Sequence, residues 1–429
     1  MKEIKENIKK MGTKNEQIGL ILSFFKWITL GSIVGILCGT ASAIFLHLLN
    51  FVTETREKNF WLIWFLPFAG ILTTFLYLTI GKNSSRGNNL ILEEIQNKKE
   101  KIPLRMGGLV LISTIISHLF GSSVGREGTA VQMGGSLSEA VVRIFKLNEV
   151  DRRIILMSGI SGGFGSVFGT PIAGTIFGME VSSFGAIKYE ALIPCFVASF
   201  VGDVVAKSLA VQHTHYIVSE IPMLSIVVLI KVVISGVLFG FVASLFSEAV
   251  HFFKKIFLKI KKPILRPFIG GVLIIILTYI VGTHIYNGIG TKTIEEAFIK
   301  QTPHEAFLYK ILFTSISLGS GFQGGEVTPL FYTGAVFGNL LSILMNMPVS
   351  FFAALGLIAV FSGASNAPIA CFVLGIEMFG SEGAVYYFLV SIIAYIFSGH
   401  HGIYTSQMIA TAKSKLLHSH EGKKISEIK

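Results

Sequence analysis

Residues 121–139 read GSSVGREGTAVQMGGSLSE, and they decide how the rest of the chain is to be understood. The stretch follows an apolar run, Leu109 to Phe120, and sets Arg126 and Glu127 between glycines. From Gly128 onward, helical spacing and small residues resume. One helix ends, the backbone turns on glycines, and a second helix starts with a glutamate in its first turn. In a water-soluble chain, Glu127 would be a first-turn carboxylate favoured by the helix dipole. At membrane depth an ionisable residue is costly and marks a transport pathway.

Composition puts the stretch in a membrane. The 429 residues are 52% hydrophobic and only 14% charged, whereas soluble domains carry about a quarter charged residues. Apolar runs such as Ile18–Leu49, Phe60–Ile80, Met223–Phe246 and Pro267–Ile285 reach the ~20 residues that cross a hydrocarbon core. The expected class is an all-α polytopic membrane protein. The first seventeen residues are charged and lack the apolar core of a cleavable signal peptide. The net charge of +11 reports topology and not a nucleic-acid partner. Lysines and arginines cluster in the N-terminal tail, in 82–105, 146–153 and 254–266, and in the C-terminal tail, while 212–222 and 283–306 hold only Lys292 and Lys300. This positive-inside pattern places both termini in the cytoplasm of a multi-pass protein of the cell membrane. Cys38, Cys195 and Cys371 lie singly in apolar segments, so neither a disulfide nor a metal cluster is indicated, and no cofactor is expected.

Residues 1–17 form a polar tail or helix. Two helices, near 18–52 and 60–81, make a hairpin whose link TETREKN (53–59) is polar enough to lie in water. The apolar core Leu90–Ile95 is too short to span and makes at most a half-helix, with Asn88 expected as its N-cap. GGFGSVFGT (162–170) superficially matches a nucleotide loop, but it lacks the P-loop lysine and a preceding strand; it reads as close helix packing through small residues. A helix from Tyr189 to about Leu209 closes the first half. The second half, from near Met223, repeats the first: TPIAGTIFGME (170–180) and APIACFVLGIE (367–377) share five of eleven positions at an offset of 197. Upstream, REGTAVQMGG (126–135) faces GEVTPLFYTG (325–334) at an offset of 199, pairing Glu127 with Glu326 and Thr129 with Thr328. Two matches at nearly one offset indicate duplication. The expected organisation is a transmembrane domain over 18–412, with repeats at about 18–211 and 222–412, then a cytoplasmic tail over 413–429 with no regulatory domain.

Duplicated halves with glycine-interrupted segments point to a transport site near the midplane. Each half-helix start exposes unpaired N–H groups and a positive dipole end, and several converging make an anion site without a fixed cation. The candidates are Asn88, Gly125, Arg126, Glu127 and Gly128, with Gly325, Glu326, Val327 and Thr328. Ionised, Glu127 competes with a substrate anion for such a site; protonated, it can swing away, which couples anion to proton movement. Glu326 reads either as a second site carboxyl or as a helix-start carboxylate facing cytoplasmic water. Thr328 is a site donor or only a helix-start hydroxyl, and Tyr404 a site residue or an interface-belt tyrosine. Glu180 and Glu377, at equivalent repeat positions, read as packing or a dimer contact. His118 and His251 sit singly in apolar runs without HExxH or GxSxG, which argues against an intramembrane enzyme.

At these residues the chain resembles the CLC family of chloride channels and proton-coupled anion antiporters, over about residues 20–412. The family's GSGIP motif lies over Gly87-Asn88-Asn89-Leu90-Ile91, GREGP over Gly125–Gly128 and Thr129, and GGIFAP over Gly324-Gly325-Glu326-Val327-Thr328-Pro329. The resemblance implies the CLC fold, with two inverted halves of tilted, broken helices, and a homodimer with one pathway per subunit. It makes Glu127 the gating glutamate and Tyr404 the anion-site tyrosine opening the last helix. Three departures stand out: Asn88 replaces the chloride-coordinating serine, Glu326 and Thr328 replace Ile and Ala, and Val181 stands where the internal proton glutamate belongs. This set resembles the fluoride-exporting branch, in which Glu326 and Thr328 match residues implicated in fluoride–proton exchange. The resemblance therefore implies fluoride/proton antiport across the bilayer, with a chloride/proton antiporter or a passive anion channel as rivals.

Overall fold

A computed structural model describes residues 14–96, 100–214 and 216–428. Most of the polar tail read at 1–17 lies outside them. The first half holds α1 (Lys14–Lys58), α2 (Leu66–Leu76), α3 (Asn88–Ile95), α4 (Arg105–Leu119), α5 (Glu127–Ile144), α6 (Glu149–Phe168), α7 (Pro171–Glu180) and α8 (Leu192–Ser208). The second holds α9 (Ile226–Leu258), α10 (Leu265–Val281), α11 (Thr291–Ala297), α12 (Ala306–Ser320), α13 (Val327–Met345), α14 (Val349–Ser365), α15 (Pro368–Phe379) and α16 (Ala384–Phe397). The halves run in the same order: a long helix, a mid-length one, a short one, then five more. Five of the helical stretches are long and apolar enough to cross a membrane. Most of the others are shorter, and non-helical backbone between such half-helices is tolerated at membrane depth only where protein or a water-filled cavity surrounds it.

Small residues set the packing in both halves alike. A Cβ on Gly134 of α5 would lie 2.1 Å from the carbonyl oxygen of Gly159 on α6, and one on Gly334 of α13 would lie 2.2 Å from that of Gly356 on α14. In the run 162–170, Gly163 meets the Ala130 carbonyl just as closely, at 2.5 Å. Glycine there is a close-approach device, as the sequence indicates.

The halves are inverted where they meet. Gly125 and Gly325 exchange both backbone hydrogen bonds, at 2.6 and 2.7 Å, as an antiparallel bridge. The Glu180 carboxylate, at the end of α7, accepts from the N–H groups of Ile369 (3.3 Å) and Ala370 (2.9 Å) at the start of α15. Conversely, Glu377 near the end of α15 accepts from Ile172 (2.9 Å) and Ala173 (2.7 Å) at the start of α7. The two helices are antiparallel, and each supplies the other's N-terminal cap. These glutamates therefore cap within one chain, where the sequence suggested packing or a dimer contact.

Three local expectations are corrected. The link 53–59 is helical to Lys58, and Arg56 turns inward, 8% exposed, with Nη1 donating to the His118 carbonyl. Gly87, at φ +54, is the N-cap of α3 in place of Asn88, because the turn needs a left-handed residue. No helix begins at Tyr404, and the segment after it is no loose tail. Ser183–Phe184 and Met408–Ile409 pair as short parallel strands β1 and β2, and Ile409 and Ile425 are fully buried. Lys413 donates to Asn366 Oδ1 (2.5 Å), Ser398 Oγ (2.9 Å) and the Gly399 carbonyl (2.5 Å). Lys26 pairs with Asp151 and Lys424 with Glu93, so the start of α1 and the C-terminal segment share one face, here the tail face.

Candidate functional site

Three half-helix starts converge beside the Gly125–Gly325 bridge. Helix α5 begins at Glu127 after N-cap Arg126, and α13 begins at Val327 after N-cap Glu326. A Cβ on Gly128 would sit 2.9 Å from the Cα of Gly325 and 3.2 Å from Asn88 Nδ2, which brings the start of α3 to the same point. Only glycine allows that approach.

Glu127 is fully buried and its side chain sits on the N-terminus of α13. Oε2 accepts from the Thr328 backbone N–H at 3.0 Å, and the Thr328 hydroxyl donates to Oε1 at 2.5 Å and Oε2 at 2.7 Å. Arg126 adds its backbone N–H to Oε2 (3.2 Å) and Nε to Oε1 (3.3 Å). A carboxylate so held occupies a seat made of backbone, hydroxyl and guanidinium donors.

The other candidates surround it. Glu326 is half-buried, its carboxyl group makes no hydrogen bond or ion pair among the described residues, and Lys254 is its electrostatic neighbour. Asn88 is half-buried, and its Oδ1 has no partner. Tyr404 is 4% exposed, lies edge-on to Phe177 at 6.5 Å, and has both Glu326 and Glu127 within electrostatic range. Val327 and Thr328 are buried at the head of α13.

The sequence missed what holds Tyr404. Its loop is tied by Ser406 N donating to Asn89 Oδ1 (3.0 Å), and by Gln407 Nε2 donating to the Val181 and Ser365 carbonyls (3.0 and 2.9 Å). Asn366 Nδ2 donates to Gln407 Oε1 (3.0 Å) and to the His401 carbonyl (3.1 Å). Only the Asn88-Asn89 doublet hinted at this, since a polar pair at a helix start has backbone groups to satisfy.

The fold and site define a polytopic helical membrane protein with a buried carboxylate held at opposed half-helix starts. The family model described as "Voltage gated chloride channel" matches residues 69–399, and the chain belongs to that family, the CLC anion transporters and channels. A relative from Pseudomonas syringae pv. tomato, named "Chloride/fluoride channel protein", is 45% identical over 408 residues, covering 93% of this chain and 90% of its own. A solved structure described as a CLC-type fluoride/proton antiporter superposes with a TM-score of 0.87 at 33% identity, covering 89% of this chain and 98% of its own. The "H(+)/Cl(-) exchange transporter ClcA" of Vibrio vulnificus is 24% identical, covering 85% of this chain and 83% of its own.

Proposed function

We propose that this protein exports fluoride from the cytoplasm in exchange for inward protons. The observation that carries the reading is the Glu127 carboxylate on the Thr328 N–H and hydroxyl. A substrate anion needs those same donors, so anion and ionised Glu127 exclude one another. A proton on Glu127 removes its charge and frees the seat, and each cycle then moves an anion one way and a proton the other.

Fluoride fits the donor set. It is small and strongly hydrated, so leaving water is costly unless hydrogen-bond donors replace it. The Thr328 hydroxyl and N–H are two such donors, and a protonated Glu326, free of other partners, is a third. Asn88 stands at the entry from the tail face, and Tyr404 closes the seat on that side. The names of the 45% identical relative and the 33% identical solved structure support fluoride as substrate. In this reading the basic tail face is cytoplasmic, following the positive-inside pattern, and two copies pair with one pathway each.

Purified protein in liposomes loaded with fluoride, then with chloride, tests the proposal. Electrode-recorded efflux, with and without a pH gradient, should show fluoride strongly preferred, driven by inward protons, and uncoupled in Glu127→Gln. Equal chloride efflux would reassign the protein to chloride/proton exchange. Fluoride efflux indifferent to pH would make it a passive channel.

A further inference from the structure

Toward the face opposite the tails, fully buried Glu127 has Arg126 as its neighbour, at the wall of a cavity of ≈ 580 Å³. His213, Tyr216 and Glu295 share that wall. His213 also lines a second cavity of ≈ 370 Å³, with Lys207 and Glu377. Its ring lies over Gly169, where a Cβ would come within 2.5 Å of Cδ2. Its Nε2 is 3.8 Å from Asp203 Oδ1, and both side chains are 6% exposed. Among the described residues neither ring nitrogen closes a full hydrogen bond, although the Val167 backbone lies within electrostatic reach of the ring; Asp203 Oδ1 also lacks one, while Asp203 Oδ2 accepts from Lys207 Nζ at 2.7 Å.

A buried imidazole beside a carboxylate, bordering two cavities and bonded to no side chain among the described residues, is an arrangement for handling protons. Arg126 and Lys207 repel a free hydronium on its way to Glu127, while Asp203, Glu377 and Glu295 offset them from three separate helices. Burial, then Arg126 and to a smaller extent Lys207, against Asp203 and the Val167 backbone, pulls the imidazole down to about 4.

We propose that His213, with the Asp203 carboxylate beside it, relays protons between these cavities, and thence through water to Glu127. One ring nitrogen accepts a proton from hydronium on the Glu377 side, leaving water. The other releases its proton to water beside Arg126, which passes it to the Glu127 carboxylate, and a ring flip restores the starting tautomer. One proton enters and one carboxyl forms. The relay rests on Glu127 being the proton carrier of the proposed antiport.

The test is proton-driven fluoride efflux from liposomes for wild type, His213→Gln, Asp203→Asn, and His213→Gln combined with Glu127→Gln. His213→Gln should slow coupled efflux about tenfold or more near neutral pH, up to the roughly hundredfold at which the effects of general acid–base groups begin. Coupling stoichiometry should stay at the wild-type value, and imidazole added on the face opposite the tails should restore the rate. Asp203→Asn should slow efflux in the same direction, and His213→Gln should add nothing once Glu127 is Gln. A wild-type rate in both single variants, slowing that imidazole leaves untouched, or slowing that persists in the Glu127→Gln background would overturn the relay. Wild-type fluoride efflux that ignores protons would instead sink the antiport reading, and the relay with it.

Discussion

Replacing Thr328 with valine removes one hydroxyl and leaves the backbone and side-chain shape in place. That hydroxyl lies 2.5 and 2.7 Å from the two oxygens of Glu127, beside the N–H at 3.0 Å. In wild type, the loss weakens both competitors for the seat, so turnover alone would misreport it. The informative background is Glu127→Gln, in which no carboxylate competes and fluoride has the seat to itself. A hydrogen bond to a charged group contributes about 1.5–3 kcal/mol. At about 1.4 kcal/mol per factor of ten, fluoride affinity should fall roughly 10- to 100-fold. Calorimetric titration of fluoride into detergent-solubilised Glu127→Gln, with and without Thr328→Val, measures this directly. Thr328→Ser, which keeps the hydroxyl, should recover most of the affinity. Fluoride binding within twofold of the Glu127→Gln parent would refute the claim that anion and gate share these donors.

Three further outcomes follow from the packing. Glu377→Gln and Glu180→Gln each leave one helix-start N–H without a carboxylate oxygen, since an amide oxygen serves only one of the two. Each should cost about 1–3 kcal/mol, seen as a lower thermal midpoint in detergent, and the double variant should approach the sum because the two caps lie at opposite ends of the helix pair. Gly163→Val forces atoms into the Ala130 carbonyl, 2.5 Å from the Cβ position, and should abolish folded yield on size-exclusion chromatography. Gly108→Ala, with nothing within 4 Å, should not. Lys413→Met keeps the length but removes the three donated hydrogen bonds to Asn366, Ser398 and Gly399. The segment 408–428 should become sensitive to limited proteolysis, and transport should slow because Asn366 also holds the Tyr404 loop through Gln407.

The features legible in the sequence were those written in neighbouring residues. GREG between apolar runs places a charged helix start at membrane depth, and a period of nearly 200 residues exposes the duplication. What stayed hidden depends on which segments meet across the inversion. Glu127 and Thr328 are 201 positions apart, and no local pattern states that the first turn of one half supplies the carboxylate for the other. Glu180 and Glu377 looked like equivalent packing residues because each was read within its own repeat, whereas each caps its counterpart's helix. The missing helix at Tyr404 was hidden for another reason. That loop is held by its own Gln407 and by Asn89 and Asn366 from two distant segments, so its local sequence did not have to specify a helix.

The inversion also explains how the donors around Glu127 are held in place. Gly125 and Gly325 bond reciprocally through their backbones, which fixes the starts of α5 and α13 against one another. Beyond the seat, the crossed caps of Glu180 and Glu377 fix α7 to α15 at both ends. Donors on such a frame cannot follow an anion as it leaves, because moving either start would break two short backbone hydrogen bonds at once. Their positions are set by contacts that each half makes with the other, and they stay preorganised whether the seat holds Glu127 or a substrate. Arg126 adds a full charge at the edge of this frame, its Nε 3.3 Å from Glu127 Oε1, while the shorter contacts come from Thr328. A rigid frame of partial charges leaves the moving part to be a side chain, and Glu127 is the side chain the structure finds in the seat.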